Sequence, residues 1–173
     1  MAPPRADLRI EALAPHHDRI AFACGVDALD RYFRTQASQD VRRKANGVFV
    51  LIEPHSAAAV LGYYTLCATA LASGEVPAAA RRHIPRYPLV SATLLGRLAV
   101  SQSRQGERLG AMLLADAVRR ACASAATVGS SMLVVDAINE RAAAFYAGHG
   151  FTRLPDSLRL VLPMHVLQRL ISP

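Results

Sequence analysis

Short apolar runs alternate along this chain with stretches of helical period, and their order predicts the architecture. Leu8 to Leu13 alternates apolar and polar with period two, which predicts a first strand. Asp27 is placed to cap a helix over residues 28–43, in which Leu29, Tyr32, Phe33 and Ala37 share one face. Asn46 and Gly47 turn the chain into a strand over 48–52, and residues 59–70 read as a long strand. Residues 72–88, rich in proline and arginine, predict one short helix before Ile84 and otherwise a loop suited to face a substrate. A strand follows over 89–100, where Gly96 would permit a kink or a close backbone approach. Leu109, Leu113, Ala117 and Ala121 then recur at helical spacing, with Asp116, Arg119 and Arg120 on the wet side of a helix over 107–126. Beyond Gly129 come a strand over 132–135 and a helix capped by Asn139, running through Tyr146 and stopped by Gly148 and Gly150. Residues 151–152 and 158–162 read as closing strands and 164–171 as a last helix, while residues 1–5 read as a loose lead-in. The order is strand, helix, three strands, long helix, strand, helix, strands. It predicts a mixed α/β fold on one curved sheet, in a single domain over 1–173.

The junction of the 89–100 strand and the long helix carries the first chemical signal. Gln105, Gly106, Glu107, Arg108, Leu109 and Gly110 form a Gly-bearing loop where the strand ends and the helix begins. The first-turn N–H groups of a helix lack intrahelical partners and lie at the positive end of its dipole, so this junction is a docking point for a pyrophosphate.

Composition narrows the partners. The formal net charge is +7 and comes almost wholly from arginine, since Lys44 is the one lysine. Clusters stand at Arg42, Arg43 and Lys44, at Arg81, Arg82 and Arg86, and at Arg119 and Arg120. A basic surface raises encounter rates with polyanions such as nucleic acids and coenzyme phosphates, although solvated helix faces account for such clusters too. Cys24, Cys67 and Cys122 are odd in number and far apart, and the six histidines show no ligand spacing, so neither a disulfide framework nor a metal is expected. No apolar run reaches the ~18 residues of a membrane span, and the N-terminal stretch lacks the apolar region of a signal peptide, which makes the cytoplasm the expected compartment.

With these elements in order, the chain resembles the GNAT superfamily of acetyl-CoA-dependent N-acetyltransferases over nearly its whole length. The sharpest matches are Q-G-E-R-L-G at 105–110 and N-x-x-A-x-x-x-Y at Asn139, Ala142 and Tyr146. The family loop pattern is Q/R-x-x-G-x-G/A, so Arg108 stands where the pattern has its middle glycine. A positive φ there would be costly for arginine, and an ordinary helical φ, which would let Arg108 add charge near a phosphate, is the expectation. Narrower matches at 22–33 (FACGVDALDRYF), 60–66 (VLGYYTL) and 142–151 (AAAFYAGHGF) are similar to GNAT toxins of bacterial toxin–antitoxin modules. Those enzymes acetylate the amino group of the amino acid on charged tRNA and stop translation.

The resemblance implies a GNAT fold, with six to seven strands flanked by helices and a sheet that splays between the fourth and fifth strands. It implies acetyl-CoA as co-substrate, no metal, charged tRNA as substrate, a ribbon-helix-helix antitoxin and a homodimer. Backbone groups of Leu98, Ala99 and Val100 would meet the pantetheine arm and the thioester carbonyl, and residues 105–110 the pyrophosphate. Asn139 would bond pantetheine amides, cap its helix, or do both. Phe145 carries over as a coenzyme contact, with core packing as its other reading. Tyr146 is the expected catalytic acid, because a phenol of pKa ~10 can donate to a leaving thiolate whose conjugate acid lies near ~8–9. His149 reads as structural, Glu53 and Asp136 receive no role, and the three basic residues at 42–44 with those at 81, 82 and 86 are the expected tRNA contacts. Two other classes stay open: a GNAT acting on a small amine or a protein, and a GNAT-shaped binding module without transfer activity.

Overall fold

A computed structural model of the protein describes residues 7–171, and the lead-in expected at residues 1–5 lies outside them. The elements are β1 (Arg9–Ala12), α1 (Asp27–Thr35), α2 (Ala37–Arg42), β2 (Gly47–Ile52), β3 (Gly62–Ala72), α3 (Ala78–Arg81), β4 (Leu89–Val100), α4 (Leu109–Thr127), β5 (Met132–Asp136), α5 (Glu140–Gly148), β6 (Thr152–Arg153), β7 (Arg159–Pro163) and α6 (Met164–Ile171). The strands form one mixed sheet in the order β1-β2-β3-β4-β5-β7-β6. β4 and β5 are parallel, paired from Ala92↔Met132 to Leu95↔Val135, and β4 runs on to Val100 past the end of that register. β7 lies antiparallel to β5 from Met132↔Pro163 to Asp136↔Arg159.

The chain gathers into two compact units, one taking the residues up to Thr65 with Arg97–Asp116, the other Leu66–Gly96 with Ala117 onward. In the first unit the apolar face read from the sequence is the core. Leu29, Tyr32, Phe33 and Ala37 are buried with Phe22, Val48, Val50, Tyr63 and Ala99. Phe33 stacks on Tyr63 with ring centroids 4.4 Å apart, and the Tyr63 hydroxyl donates to the Leu29 carbonyl at 2.7 Å. In the second unit Val90, Ala92, Met132, Val134 and Val161 form a sheet face, covered by Ala80, Ile84 and Leu154.

Two local expectations are corrected. The helix expected over 28–43 is broken at Gln36, whose φ of −120° leaves the helical range, and resumes as α2. Asp27 does not cap it: the N-cap is Val26, which makes no side-chain cap bond. Asp30 instead reaches back one turn and accepts the Cys24 N–H at 2.8 Å. The break brings the Asp40 carboxylate within reach of three donors, the Tyr32 hydroxyl at 2.8 Å and the side-chain amides of Asn46 at 3.0 Å and Gln36 at 3.1 Å. An unbroken helix would place residues 32 and 40 more than two turns apart along its axis.

Candidate active site

The strand–loop–helix at the end of β4 lies within the first unit and is held by bonds distant in sequence. Ser101 N–H donates to the Leu61 carbonyl and Gln102 N–H to the Ala23 carbonyl, each at 2.8 Å. The Gln105 side-chain amide donates to the carbonyls of Cys24 at 3.0 Å and Val100 at 3.3 Å, so this side chain tethers the loop rather than reaching outward. Arg104 lies just before the loop. Its guanidinium donates to Glu53 at 2.8 Å and to Glu107 at 2.7 and 3.2 Å, clamping the loop to the end of β2. The Arg104 hydrogen bond holds the Glu107 carboxyl below the usual carboxylate range. Sequence reasoning missed Arg104, because its partner Glu53 is remote in the chain.

The backbone of the loop turns left-handed twice, at Gly106 (φ 86°) and at Arg108 (φ 62°). The expectation of an ordinary helical φ at Arg108 is therefore overturned. The family pattern has glycine there because the turn into α4 needs a positive φ, which costs an arginine about 1–2 kcal/mol. The Arg108 carbonyl accepts the Met112 N–H at 3.3 Å, and α4 runs from Leu109 to Thr127. Successive N–H groups in mixed left- and right-handed conformations at a helix start form a concave anion cradle. That geometry fits a pyrophosphate. Leu98 and Val100 are half-buried, whereas Ala99 packs into the core, so the contact of this strand with a pantetheine arm would be through the backbone.

Close by on the same strand, Arg97 stands over the Tyr32 ring, with its guanidinium carbon 3.5 Å from the ring centroid. The Arg97 side chain has no hydrogen bond to a described residue, and its charge adds to the bonds that hold the Asp40 carboxyl low. Burial would raise the Asp40 pKa, but the hydrogen bonds from Gln36, Tyr32 and Asn46 outweigh it and bring the carboxyl below its ordinary value. The aromatic ring that supports Arg97 is thereby fixed by a carboxylate. A lone arginine within a strand gave no signal in the sequence.

The second unit carries the remaining expected residues. Asn139 caps α5 as read, its Oδ1 accepting the Ala142 N–H at 2.9 Å, and the exposed residue keeps its side-chain N–H groups for a ligand. Tyr146 is 6% exposed, packed edge-on against Phe145 and Phe151 at 5.2 and 5.7 Å. Its hydroxyl bonds to no described residue, and burial pushes its pKa well above the ordinary tyrosine value, so it keeps its proton through the neutral range. Phe145 is half-buried and packs on His149, whose Nδ1 pairs with the Phe145 carbonyl at 2.8 Å. Asp136 is locked to Arg159 by two bonds at 2.7 and 2.9 Å. Glu53 and Asp136 are thus both ion-paired.

The expected nucleic-acid contacts fall in both units. Arg42, Arg43 and Lys44 are exposed at the end of α2, with Lys44 left-handed at φ 61°. Arg81 is partly committed: its guanidinium donates to the Val76 carbonyl at 2.8 and 3.2 Å. Arg82 donates to His83 at 3.2 Å, and Arg86 makes no bond to a described residue. One grouping with metal-ligating atoms was not foreseen, Glu11 with His16 and His17. Its buried member is already bonded on both ring nitrogens, His17 Nδ1 accepting the Ala14 N–H at 2.9 Å and Nε2 facing Glu11 at 2.8 Å.

Comparison with known proteins agrees with this geometry. Residues 29–151 match the Acetyltransferase (GNAT) family. The chain is 34% identical over 156 residues to a tRNA-acetylating toxin of Mycobacterium tuberculosis, covering 90% of this chain and 91% of that protein. It is similar to AtaT complexed with acetyl-methionyl-tRNAfMet, with a TM-score of 0.87 and 32% identity over 96% of this chain and 100% of that one. It is also similar to a tyrosine-to-phenylalanine mutant of AtaT bound to the C-terminus of the antitoxin AtaR and acetyl-CoA, with a TM-score of 0.82 and 31% identity over 96% and 99% of the two chains. With the β4–loop–α4 cradle and the family match in agreement, the chain belongs to the GNAT acetyltransferase family.

Proposed function

We propose that this protein is an acetyl-CoA-dependent N-acetyltransferase that modifies the α-amino group of aminoacyl-tRNA and acts as a toxin by blocking translation. The single observation that carries the acceptor is the likeness, over about nine-tenths of both chains, to a tRNA-acetylating toxin. The net charge of +7 suits a polyanionic substrate.

Bound acetyl-CoA supplies an acyl group already activated as a thioester. Backbone N–H groups of residues 105–110 take its pyrophosphate, and backbone groups of Leu98, Ala99 and Val100 with the Asn139 amide orient the arm. Phe145 offers its half-buried ring as a wall. Tyr146 holds a proton at Oη from which a departing thiolate is neutralised. The α-amine of an aminoacyl ester is less basic than a lysine side chain, so much of it is neutral at pH 7 without a dedicated base. Arg82 and Arg86, with the cations at 42–44 and the remaining N–H groups of Arg81, hold the tRNA backbone.

Both units are read as one domain, and the protein as a cytoplasmic homodimer restrained by a ribbon-helix-helix antitoxin. No described helix is long and apolar enough to cross a membrane. Arginine in place of the loop glycine favours the reading of a binding module without transfer activity, but the unspent Tyr146 hydroxyl speaks for catalysis.

The test supplies labelled acetyl-CoA with charged tRNA, deacylated tRNA, a polyamine and a peptide. Label should appear on charged tRNA alone and be released by mild alkali as an N-acetyl amino acid. Transfer to the polyamine or peptide with charged tRNA untouched would replace the proposed acceptor.

A further inference from the structure

The β3–β4 connection, within the second unit, lines an open cleft of about 610 Å³ whose arginines are among the proposed tRNA contacts. Its lining includes Arg81, Arg82, Pro85, Arg86, Tyr87 and Pro88, and no acidic residue. The wall is built: Ser73 N–H donates to the Pro88 carbonyl at 3.0 Å, and Arg81 bonds the Val76 carbonyl. Tyr87 stands 67% exposed on this wall, a large aromatic ring left in water between two prolines. Proline fixes its own φ and stiffens the residue before it, so the ring is offered from a constrained backbone. An exposed aromatic face set among arginines with no acidic neighbour in the lining fits a ligand with a flat face and negative charge.

We infer that Tyr87 is the stacking platform of a single-stranded RNA subsite, taking one unpaired base while Arg82 and Arg86 hold the flanking phosphates. This rests on the aminoacyl-tRNA reading and gives the cleft an unpaired stretch of that substrate. Aromatic faces flanked by arginine bind single strands without demanding one base. A second copy of this chain is a poorer occupant, because two-fold pairing of this face would set its arginines against their own copies.

The chain contains no tryptophan, so Tyr87→Trp creates one fluorescent reporter in the full-length protein. Its emission should be quenched saturably by a CCA trinucleotide, and not by a blunt RNA duplex or by tripolyphosphate. In the transfer assay, Tyr87→Ala should raise KM for charged tRNA about 5- to 100-fold, the scale of one lost base stack. Tyr87→Phe should restore the wild-type KM, and acetyl-CoA affinity should be the same in all three. Equal quenching by duplex or tripolyphosphate overturns the stack, as does an unchanged KM in Tyr87→Ala. Dissociation of a dimer, or loss of antitoxin binding with tRNA affinity intact, would assign Tyr87 to a protein interface instead. The quenching experiment needs no chemistry, so if the wild-type protein acetylates no charged tRNA while Tyr87→Trp is still quenched by CCA, the subsite stands and only the acceptor assignment is removed.

Discussion

At the scale of single residues, three positions carry a measurable cost or capacity. Tyr146 is buried with its hydroxyl unspent, so Tyr146→Phe removes one O–H and leaves the packing against Phe145 and Phe151 in place. Turnover should fall about 10²-fold or more while acetyl-CoA affinity is kept, and undiminished turnover would make the phenol structural. Arg108 pays for a left-handed φ of 62°. Arg108→Gly should therefore raise stability in urea titration by about 1 kcal/mol, and a loss of stability would mean that the arginine side chain makes good its own strain. Thr65 is fully buried, and its hydroxyl is the side-chain oxygen left without a partner among the described residues. Thr65→Val keeps the shape and removes the unsatisfied group, for an expected gain of about 1 kcal/mol. A clear destabilisation would point to a partner for this hydroxyl.

At the scale of elements, the start of α4 is the decisive piece. Its first turn presents backbone N–H groups beside two left-handed residues, and Arg104 clamps the preceding loop through Glu53 and Glu107. Gly110 sits in that first turn, half-buried. Gly110→Glu places a carboxylate and a side chain where phosphate oxygens would come, so calorimetry should show acetyl-CoA binding abolished while the fold survives. Undiminished binding would move the pyrophosphate away from this helix. Close approach also explains Gly62 at the start of β3: a Cβ there would stand 2.8 Å from the Ala99 carbonyl. No larger residue fits without displacing the strand that is to hold the pantetheine.

For the whole molecule, titration couples to stability at the alkaline end. Burial, and then the hydrogen-bonded Asp30, push the Cys24 thiol up from 9.0 to about 11. The folded protein thus keeps a proton that the unfolded chain gives up near pH 9, so the stability this adds is complete below pH 9 and lost as pH rises to about 11. The urea midpoint should fall across that window, and Cys24→Ala should flatten the fall. An identical slope in that variant would assign the loss to other groups, such as Tyr63 and Tyr146, which burial shifts in the same direction. Charge acts over the same scale: the +7 excess should make tRNA affinity fall steeply with salt, while the acetyl-CoA cradle, made of backbone dipoles, should respond less.

What the sequence by itself determined is what is local. Alternation at β1, apolar runs bounded by turn residues at β2 to β5, and helical spacing in the long α4 located these elements, because each pattern reflects how one element faces the core. The Asn139 cap was legible because the bond to Ala142 spans three residues, and the loop at 105–110 because a strand end, a glycine and a helix start follow one another. Tertiary structure decided every partner distant in the chain. Gln105 is tethered across 81 residues to Cys24, Arg104 across 51 to Glu53, and Arg97 lies on Tyr32. The break at Gln36 and the left-handed turn at Arg108 belong with these: distant packing and hydrogen bonds select both, and at Arg108 they hold a backbone angle that the residue type disfavours.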